Sequence, residues 1–370
     1  MIEKLIIKNY KSLHQVKINL KGLNLFLGLN SMGKSSAVQS LLLLRQSYIK
    51  NGSLHKLLIN GDLVSLGNSR DIYYSNGDID GQIEFRLENG DDFLDLKYQY
   101  TDGESILLGN TNMKEPGSIS NFSLFGKGFC YLAADHIQPS KTYSSSGALD
   151  SYDYLGKNGQ NAPYYLAKHG SEVIKNALLH HPNAKSDTLS HELDAWMGEV
   201  SPGTRLIAEE QPGLDLVTLS VQYKANVYGK EEYTEKVSPV NVGFGIPYVM
   251  PVILALLTSK SGDLVIIENP ESHLHPRGQA QLGRLMALAA QSGVQVICET
   301  HSDHVINGVR VAVKDNEIDH SNLGFYYFEK DRNVTLDTVV TPIRIDKNGE
   351  LDKYPDGLLD EWGNLMGKLF

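Results

Sequence analysis

Cysteine and net positive charge are both scarce in this sequence. Only two of the 370 residues are cysteines, Cys130 and Cys298, and they supply neither a disulfide framework nor a zinc site. We interpret them as two buried thiols in a reducing cytoplasm. The 44 acidic residues outnumber the 34 lysines and arginines, and the formal net charge is −10. Direct nucleic-acid binding by this chain alone is therefore not favoured, whereas contact through a partner stays open.

Long apolar runs and regular repeats are also missing. The longest apolar runs, such as Leu41–Leu44 and Val249–Leu257, fall far short of a bilayer span. The N-terminal stretch MIEKLIIKNY carries charges inside its apolar run, unlike a signal peptide. No internal repeat of solenoid length and no long heptad pattern is present. With 41% hydrophobic and 21% charged residues, we expect a globular, cytoplasmic protein that contacts no membrane.

A glycine-rich turn between a predicted strand and a predicted helix is the strongest motif. Residues 28–36, GLNSMGKSS, fit the pattern G-x-x-x-x-G-K-[ST], with LNLFL before them and SAVQSLLLLRQ after them. Glycines let the backbone N–H groups face phosphate oxygens, and the following helix adds its N-terminal dipole. Lys34 would reach the β- and γ-phosphates, and the Ser35 hydroxyl would bind Mg²⁺. The residues assigned to nucleotide binding in this turn are Asn30, Ser31, Gly33, Lys34, Ser35 and Ser36.

A second group of motifs lies far downstream, in a fixed order. In NVGFGIP (241–247), Gly243 and Gly245 open a predicted helix, and a glycine loop at a helix N-terminus is an anion site. The apolar strand LVII then runs into Glu268, as a buried parallel strand delivers an acid to a metal site. ICETHSDH follows and places His301 at a strand end, where an imidazole can hydrogen-bond a phosphate or the attacking water. Each match alone is weak evidence, but their order behind the phosphate loop makes the set strong evidence for a nucleotide-binding core.

These motifs divide the chain into three predicted segments. Residues 1–80 form an N-terminal lobe with three short strands and the phosphate loop, and residues 238–370 form a C-terminal lobe with the glycine signature, the acid strand and His301. Residues 81–237 are predicted to be an inserted β/helical region. A hairpin is predicted over 78–100, and helices over about 163–181 and 187–199. The long separation of Lys34 and Glu268 along the sequence thus predicts a nucleotide-binding core that is split by an insertion.

This ordered set resembles the ABC-type ATPase heads of the RecF/SMC-like and OLD (overcoming lysogenization defect) group. More narrowly, the chain is similar to bacterial AAA family ATPases of the DUF3696-like kind. The resemblance covers about residues 1–70 and 238–360 and rests on LIIKNYKSL, GLNSMGKSS, NVGFGIPYVMPVILALL, IIENPESHLHPRGQAQLG, ETHSDHVINGVR and DKNGELDKYPDGLLDE. It implies an α/β fold with mixed and antiparallel strands in the first lobe and parallel strands plus helices in the second. It also implies ATP hydrolysis with Mg²⁺ held by Ser35 and Glu268.

The resemblance further implies how such a protein assembles. Two ATP molecules would lie in a homodimer, each between the phosphate loop of one chain and the glycine signature of the other, with a higher oligomer left open. Many relatives lie in anti-phage loci and work with an effector, here expected to be a separate nuclease or toxin. Two residues depart from the family pattern. The signature lacks the usual serine, so Asn241 or backbone N–H groups would cap the γ-phosphate, and His136 in AADHIQP stands where arginine is expected.

Asn269 stands at the position of the general base, directly after the metal-side acid. An amide cannot accept a proton at neutral pH, although it can orient water. In one alternative Glu271 is the base, and in a second His301 and Asn269 orient the water while hydrolysis is slow. In a third the protein binds ATP as a switch and barely hydrolyses it. A shifted alignment with Glu268 itself as the base is a fourth alternative.

The leading hypothesis is a dimer-forming ABC-type ATPase that controls a separate effector in anti-phage defence. One alternative is a RecF-like DNA repair ATPase, against which the acidic charge counts. Another is a nucleotide-gated scaffold with negligible hydrolysis. His273 and His275 beside Glu271 could bind a metal only in an extended segment, and a role at the dimer interface or in capping a loop is favoured.

Overall fold

A computed structural model describes residues 1–78, 80–109, 119–145, 154–227, 230–331 and 335–369. The strands are β1 (Lys4–Tyr10), β2 (Leu13–Asn19), β3 (Leu23–Leu27), β4 (Lys56–Leu58), β5 (Gln82–Asn89), β6 (Asp92–Gln99), β7 (Ile106–Leu108), β8 (Phe129–Leu132), β9 (Thr142–Ser144), β10 (Thr204–Gln211), β11 (Leu216–Val227), β12 (Lys230–Tyr233), β13 (Leu264–Glu268), β14 (Gln295–Glu299), β15 (Leu323–Lys330) and β16 (Thr338–Ile343). The helices are α1 (Lys34–Asn51), α2 (Ser69–Ile72), α3 (Ala162–His169), α4 (Leu189–Val200), α5 (Gly245–Thr258), α6 (Pro276–Gln291), α7 (Asp303–Lys314) and α8 (Glu361–Leu369).

The chain forms two compact units, and the first contains the phosphate loop. This unit comprises residues 1–126, 323–346 and 351–370. An antiparallel sheet in the order β2-β1-β5-β6 buries alternate side chains, such as Leu5 and Ile7 of β1, as expected for a half-covered sheet. In the same unit β15 lies parallel to β3 and antiparallel to β16. All five residues of β3 are buried, which explains why four of them are apolar, with Asn24 as the exception.

The second unit contains the acid strand and the glycine signature. It comprises residues 127–322 and 347–350. The strands β8, β13 and β14 are parallel, and the helices α6 and α7 follow β13 and β14. A separate antiparallel sheet joins β10, β11 and β12, and β9 pairs with β11. The parallel strands bring the carboxyl ends of β13 and β14 to one edge, where Glu268 and Glu299 are in register.

Most of the predicted elements are present, but one helix is shorter than predicted and several strands were not predicted. The predicted N-terminal strands, the hairpin over 78–100 and the strand–helix alternation of the C-terminal segment are confirmed. The helix predicted over about 163–181 ends at His169, because the carbonyl oxygen of Gly170 accepts from the Ser190 N–H over 2.9 Å instead of from a further helical turn. The strand β10 was not predicted, since only its first half alternates between buried and exposed side chains.

The boundaries of the two compact units differ from those of the three predicted segments. The three segments stay a prediction. Both cysteines are free and buried, as predicted. No helix within the described ranges is long and apolar enough to cross a membrane.

Candidate functional site

The phosphate loop of the first unit joins β3 to α1 and requires glycine at two of its positions. The φ angle is +126° at Gly28, +65° at Ser31 and +101° at Gly33, all in the left-handed region. A Cβ atom on Gly28 would lie 2.3 Å from the carbonyl oxygen of Phe328, and one on Gly33 would lie 2.5 Å from Thr338 Oγ1. The spacing of the two glycines in the motif therefore follows from close approaches to β15 and β16.

Thr338 and Lys34 hold this loop from two sides. The Thr338 hydroxyl donates to the carbonyl oxygen of Met32 over 2.9 Å and lies 2.8 Å from Ser12 Oγ. The buried Lys34 side chain donates from Nζ to the carbonyl oxygens of Gly28 and Leu29, each over 2.8 Å. The lysine is thus anchored at the loop, within reach of any anion that the loop binds.

The loop has the features that binding of a nucleoside triphosphate requires. It opens α1, an 18-residue helix whose first turn contains no acidic residue, so the positive end of the helix dipole meets no competing carboxylate. Asn30 and Ser31 are exposed on the loop, and Ser35 and Ser36 are half-buried in the first turn of the helix. The Ser35 hydroxyl is a hard oxygen donor, the ligand type that Mg²⁺ prefers.

In the second unit, the carboxyl edge of the parallel strands is strongly acidic. Glu268 ends β13, and its Oε1 accepts a hydrogen bond of 3.1 Å from the Tyr131 hydroxyl on β8. Burial, together with the charge of the neighbouring Glu299, raises the pKa of Glu268 to about 7, although the Tyr131 bond opposes this shift. A bound cation would compensate both the burial of the Glu268 carboxylate and its repulsion by Glu299, so Glu268 is well placed to bind one.

The segment after β13, here called the 269–275 loop, turns sharply. Asn269 has a φ of +47° and donates its N–H to the carbonyl oxygen of Glu299 over 2.8 Å, and His273 has a φ of +63°. Glu271 Oε1 accepts a hydrogen bond of 2.8 Å from the backbone N–H of His301. The turn after β13 therefore brings the Glu271 carboxylate against the backbone of His301.

The two signature glycines have different reasons to lack a side chain. A Cβ atom on Gly245, the first residue of α5, would lie 2.6 Å from the carbonyl oxygen of His273, so packing inside this unit requires glycine there. A Cβ atom on the exposed Gly243 would meet no described atom within 4 Å. Asn241 is also exposed and lies in a short 3₁₀ turn just before the signature. Packing of the described residues thus does not explain Gly243.

The predicted site residues fall into three groups. Residues 30–36 share one loop in the first unit; Glu268, Asn269, Glu271 and His301 gather at the ends of β13 and β14; and residues 241–245 lie at the start of α5. Sequence reasoning missed Tyr131, Glu299 and Thr338. Glu299 ends the apolar run VQVIC as Glu268 ends LVII, so the same pattern could have found it.

The histidines of the 269–275 loop act on local structure. His275 caps α6, because its Nδ1 accepts a hydrogen bond of 3.3 Å from the Arg277 N–H, in agreement with the predicted capping role. The ring of His273 lies 5.3 Å from that of Tyr248. Within the described part of the chain, Glu271, His273 and His275 form no cluster of metal-ligating atoms.

A phosphate loop between a buried strand and a helix, and acids at the carboxyl ends of parallel strands, are typical of P-loop nucleotide hydrolases with an α/β fold. A family model described as "AAA ATPase domain" matches residues 1–196, more than half of the chain, and the chain belongs to this family. It is an ATP-hydrolysing enzyme.

Two further family models match other parts of the chain. An AAA domain model whose description names the AbiEii toxin and the Type IV TA system matches residues 135–307. A model described as a protein of unknown function, DUF3696, matches residues 318–369. No curated protein sequence matches the chain. The predicted likeness to AAA family ATPases of the DUF3696-like kind is confirmed.

Solved structures of SMC heads are similar in fold. A SmcHead bound to the C-winged helix domain of ScpA is 15% identical, with a TM-score of 0.52 over 94% of this chain and 98% of that one. The SMC head domain from Thermotoga maritima is 10% identical, with a TM-score of 0.46 over 93% of this chain and 99% of that one. A Smc head from Pyrococcus furiosus with an extended coiled coil is 14% identical, with a TM-score of 0.49 over 100% and 99%. The first likeness confirms the predicted α/β ATPase-head fold.

Proposed function

We propose that this ATPase forms a homodimer around bound ATP and that dimerisation controls a separate effector protein, a nuclease or a toxin, in anti-phage defence. The observation that carries the nucleotide part is the phosphate loop, in which two sterically required glycines, Lys34 and the start of α1 surround one turn. Gly243 supports the dimer. It is exposed and has open space around it, as a loop that must receive another molecule's phosphate requires.

Each proposed residue has a defined task. The loop N–H groups and Lys34 bind the β- and γ-phosphates, and Ser35 and Glu268 are the proposed oxygen donors for Mg²⁺, which when bound neutralises the charge that develops on the phosphates. Glu271 is the proposed base, and the Asn269 amide orients water. The hydrogen bond from the His301 N–H holds that carboxylate in place.

Support for an effector comes from related proteins. The AAA domain model that matches residues 135–307 names a toxin and a toxin–antitoxin system in its description. The SmcHead of similar fold is bound to a winged helix domain of a different protein. We propose that this ATPase head likewise binds another chain and passes its nucleotide state to it.

A single assay with three proteins tests the enzymatic part. Wild type should hydrolyse ATP, Lys34→Ala should reduce hydrolysis to background, and Glu271→Gln should lower kcat about a hundredfold, since general bases contribute that order of magnitude. Glutamine can still accept the His301 N–H bond, which makes this variant a test of proton transfer. Unchanged turnover in Glu271→Gln would remove Glu271 as the base.

Asn269 at the base position favours a second candidate, a nucleotide-gated scaffold with negligible hydrolysis. In that case wild type would bind ATP but turn it over no faster than Lys34→Ala. ATP-dependent dimerisation, measured by light scattering with Mg²⁺-ATP and Mg²⁺-ADP, would occur under both candidates. A chain that stays monomeric with ATP in wild type and in Glu271→Gln contradicts the proposed dimer.

A further inference from the structure

Tyr248 links the start of the signature helix to the 269–275 loop within the second unit. It lies in the first turn of α5, and its hydroxyl donates to the carbonyl oxygen of Ala134 over 2.6 Å and reaches that of Asn269 over 3.4 Å. Its ring lies edge-on to that of His273, with 5.3 Å between centroids. One side chain on α5 thus contacts the loop at both Asn269 and His273.

His136 fixes Tyr248 from the opposite side. The two rings are stacked, with 4.1 Å between their centroids and an interplanar angle of 26°. His136 Nδ1 donates to the Tyr248 carbonyl oxygen over 3.0 Å. Burial lowers the pKa of His136 to about 4, so the imidazole is neutral at physiological pH. Because a carbonyl only accepts, the proton of this neutral ring lies on Nδ1.

The backbone leaves little room for the helix and the loop to move independently. Gly245 approaches the carbonyl oxygen of His273 so closely that even a methyl group would clash. Asn269 and His273 both have left-handed φ angles, which resist small adjustments in residues with side chains. A shift of the first turn of α5 therefore has to be followed by the loop that carries Asn269 and Glu271.

We propose that Tyr248 is a positioning residue that couples the signature at the start of α5 to Asn269 and Glu271. This proposal rests on the proposed function, in which the signature meets a phosphate and Asn269 and Glu271 prepare water. Engagement of the signature then sets the loop for hydrolysis. The coupling passes through the Tyr248 hydroxyl, while His136 keeps the ring in place.

Tyr248→Phe tests the proposal, because it keeps both ring contacts and removes only the hydroxyl. We expect kcat to fall about fivefold with a nearly unchanged KM for ATP, as loss of one hydrogen bond of about 1 kcal/mol predicts. Tyr154→Phe is the matched control. It removes a half-buried hydroxyl that is bonded to Thr258 at the far end of the same helix, over 3.0 Å, and should leave kcat and KM unchanged.

Hydrogen exchange of the nucleotide-free protein provides a readout that does not need ATPase activity. Amides of the 269–275 loop should exchange faster in Tyr248→Phe than in wild type and in Tyr154→Phe. Equal loop exchange in all three proteins, or equal losses of kcat in the two variants, would overturn the coupling. If wild type hydrolyses no more ATP than Lys34→Ala, the hydrolytic part of the proposed function has failed, and the exchange result still decides whether Tyr248 holds the loop.

Discussion

At the scale of single residues, the absence of a side chain determines the phosphate loop. Gly33 combines a φ of +101° with a close approach to Thr338, and both conditions exclude a Cβ atom. Asn269 presents the opposite case, since asparagine tolerates the left-handed region better than most residues with side chains. Its identity at the base position can therefore reflect the turn as well as the chemistry.

Gly33→Ala should weaken ATP binding at least about tenfold, because the methyl group must displace Thr338 and open the loop. Gly52→Ala at the other end of α1 is the control, since it has a φ of +66° but open space around it. It should lower the free energy of unfolding by about 1 kcal/mol and leave ATP affinity unchanged. Calorimetric titration with ATP and thermal unfolding distinguish the two variants.

Asn269→Gly separates the backbone role of this residue from its side-chain role. Glycine retains the left-handed turn, so the stability should stay within about 1 kcal/mol of wild type. If the amide orients water, kcat should fall about tenfold or more. Asn316→Gly, at another left-handed asparagine just after α7, should leave kcat unchanged. Full activity in Asn269→Gly would mean that Asn269 only shapes the turn.

At the scale of elements, local patterns predicted most strands and helices, because alternation and apolar runs are recorded in neighbouring residues. The helix predicted over 163–181 ends early, since the carbonyl oxygen of Gly170 bonds the N–H of Ser190, a contact that local sequence patterns do not record. Contacts of the site were harder to predict. Tyr131 meets Glu268 across 137 residues, and Thr338 meets Met32 across 306. Only the pairing of strands, which periodicity does not give, brings these side chains together.

Asp194 ties α4 to β10 and should make stability depend on pH. Its carboxylate accepts a 2.9 Å bond from the Leu206 N–H and lies 3.7 Å from Arg205, yet burial raises its pKa to about 6 from a usual 3.8. The folded state therefore holds this proton more tightly than the unfolded state. The contribution of Asp194 is fully present below about pH 4 and is lost as the pH rises to about 6.

Asp194→Asn tests this expectation, because asparagine can still accept the Leu206 N–H bond. Relative to the variant, wild type should lose up to about 3 kcal/mol of unfolding free energy as the pH rises from 4 to 7. Urea unfolding at each pH gives the difference directly. Parallel curves for the two proteins would show that Asp194 ionises normally in the folded state.

At the scale of the whole molecule, the proposed dimer predicts that two inactive chains can restore each other. Lys34→Ala has an intact signature, and Gly243→Asp, in open space, has an intact phosphate loop and should fold normally. Each variant alone should be inactive. Mixed in equal amounts, they should recover about a quarter of wild-type turnover, since half of the dimers then contain one intact nucleotide site. No recovery in a mixture that forms dimers would contradict the sandwich.

The two bonds that Lys34 makes to its own loop also act as a threshold for ligands. A ligand gains from this lysine only the excess over the contacts with Gly28 and Leu29 that the ammonium gives up. We therefore expect a triphosphate, which carries more negative charge, to draw the ammonium from these carbonyls more strongly than a nucleoside monophosphate does. The carbonyl oxygens of the loop and the phosphate oxygens of the ligand therefore compete for the Lys34 ammonium, and this competition favours ligands with more phosphates.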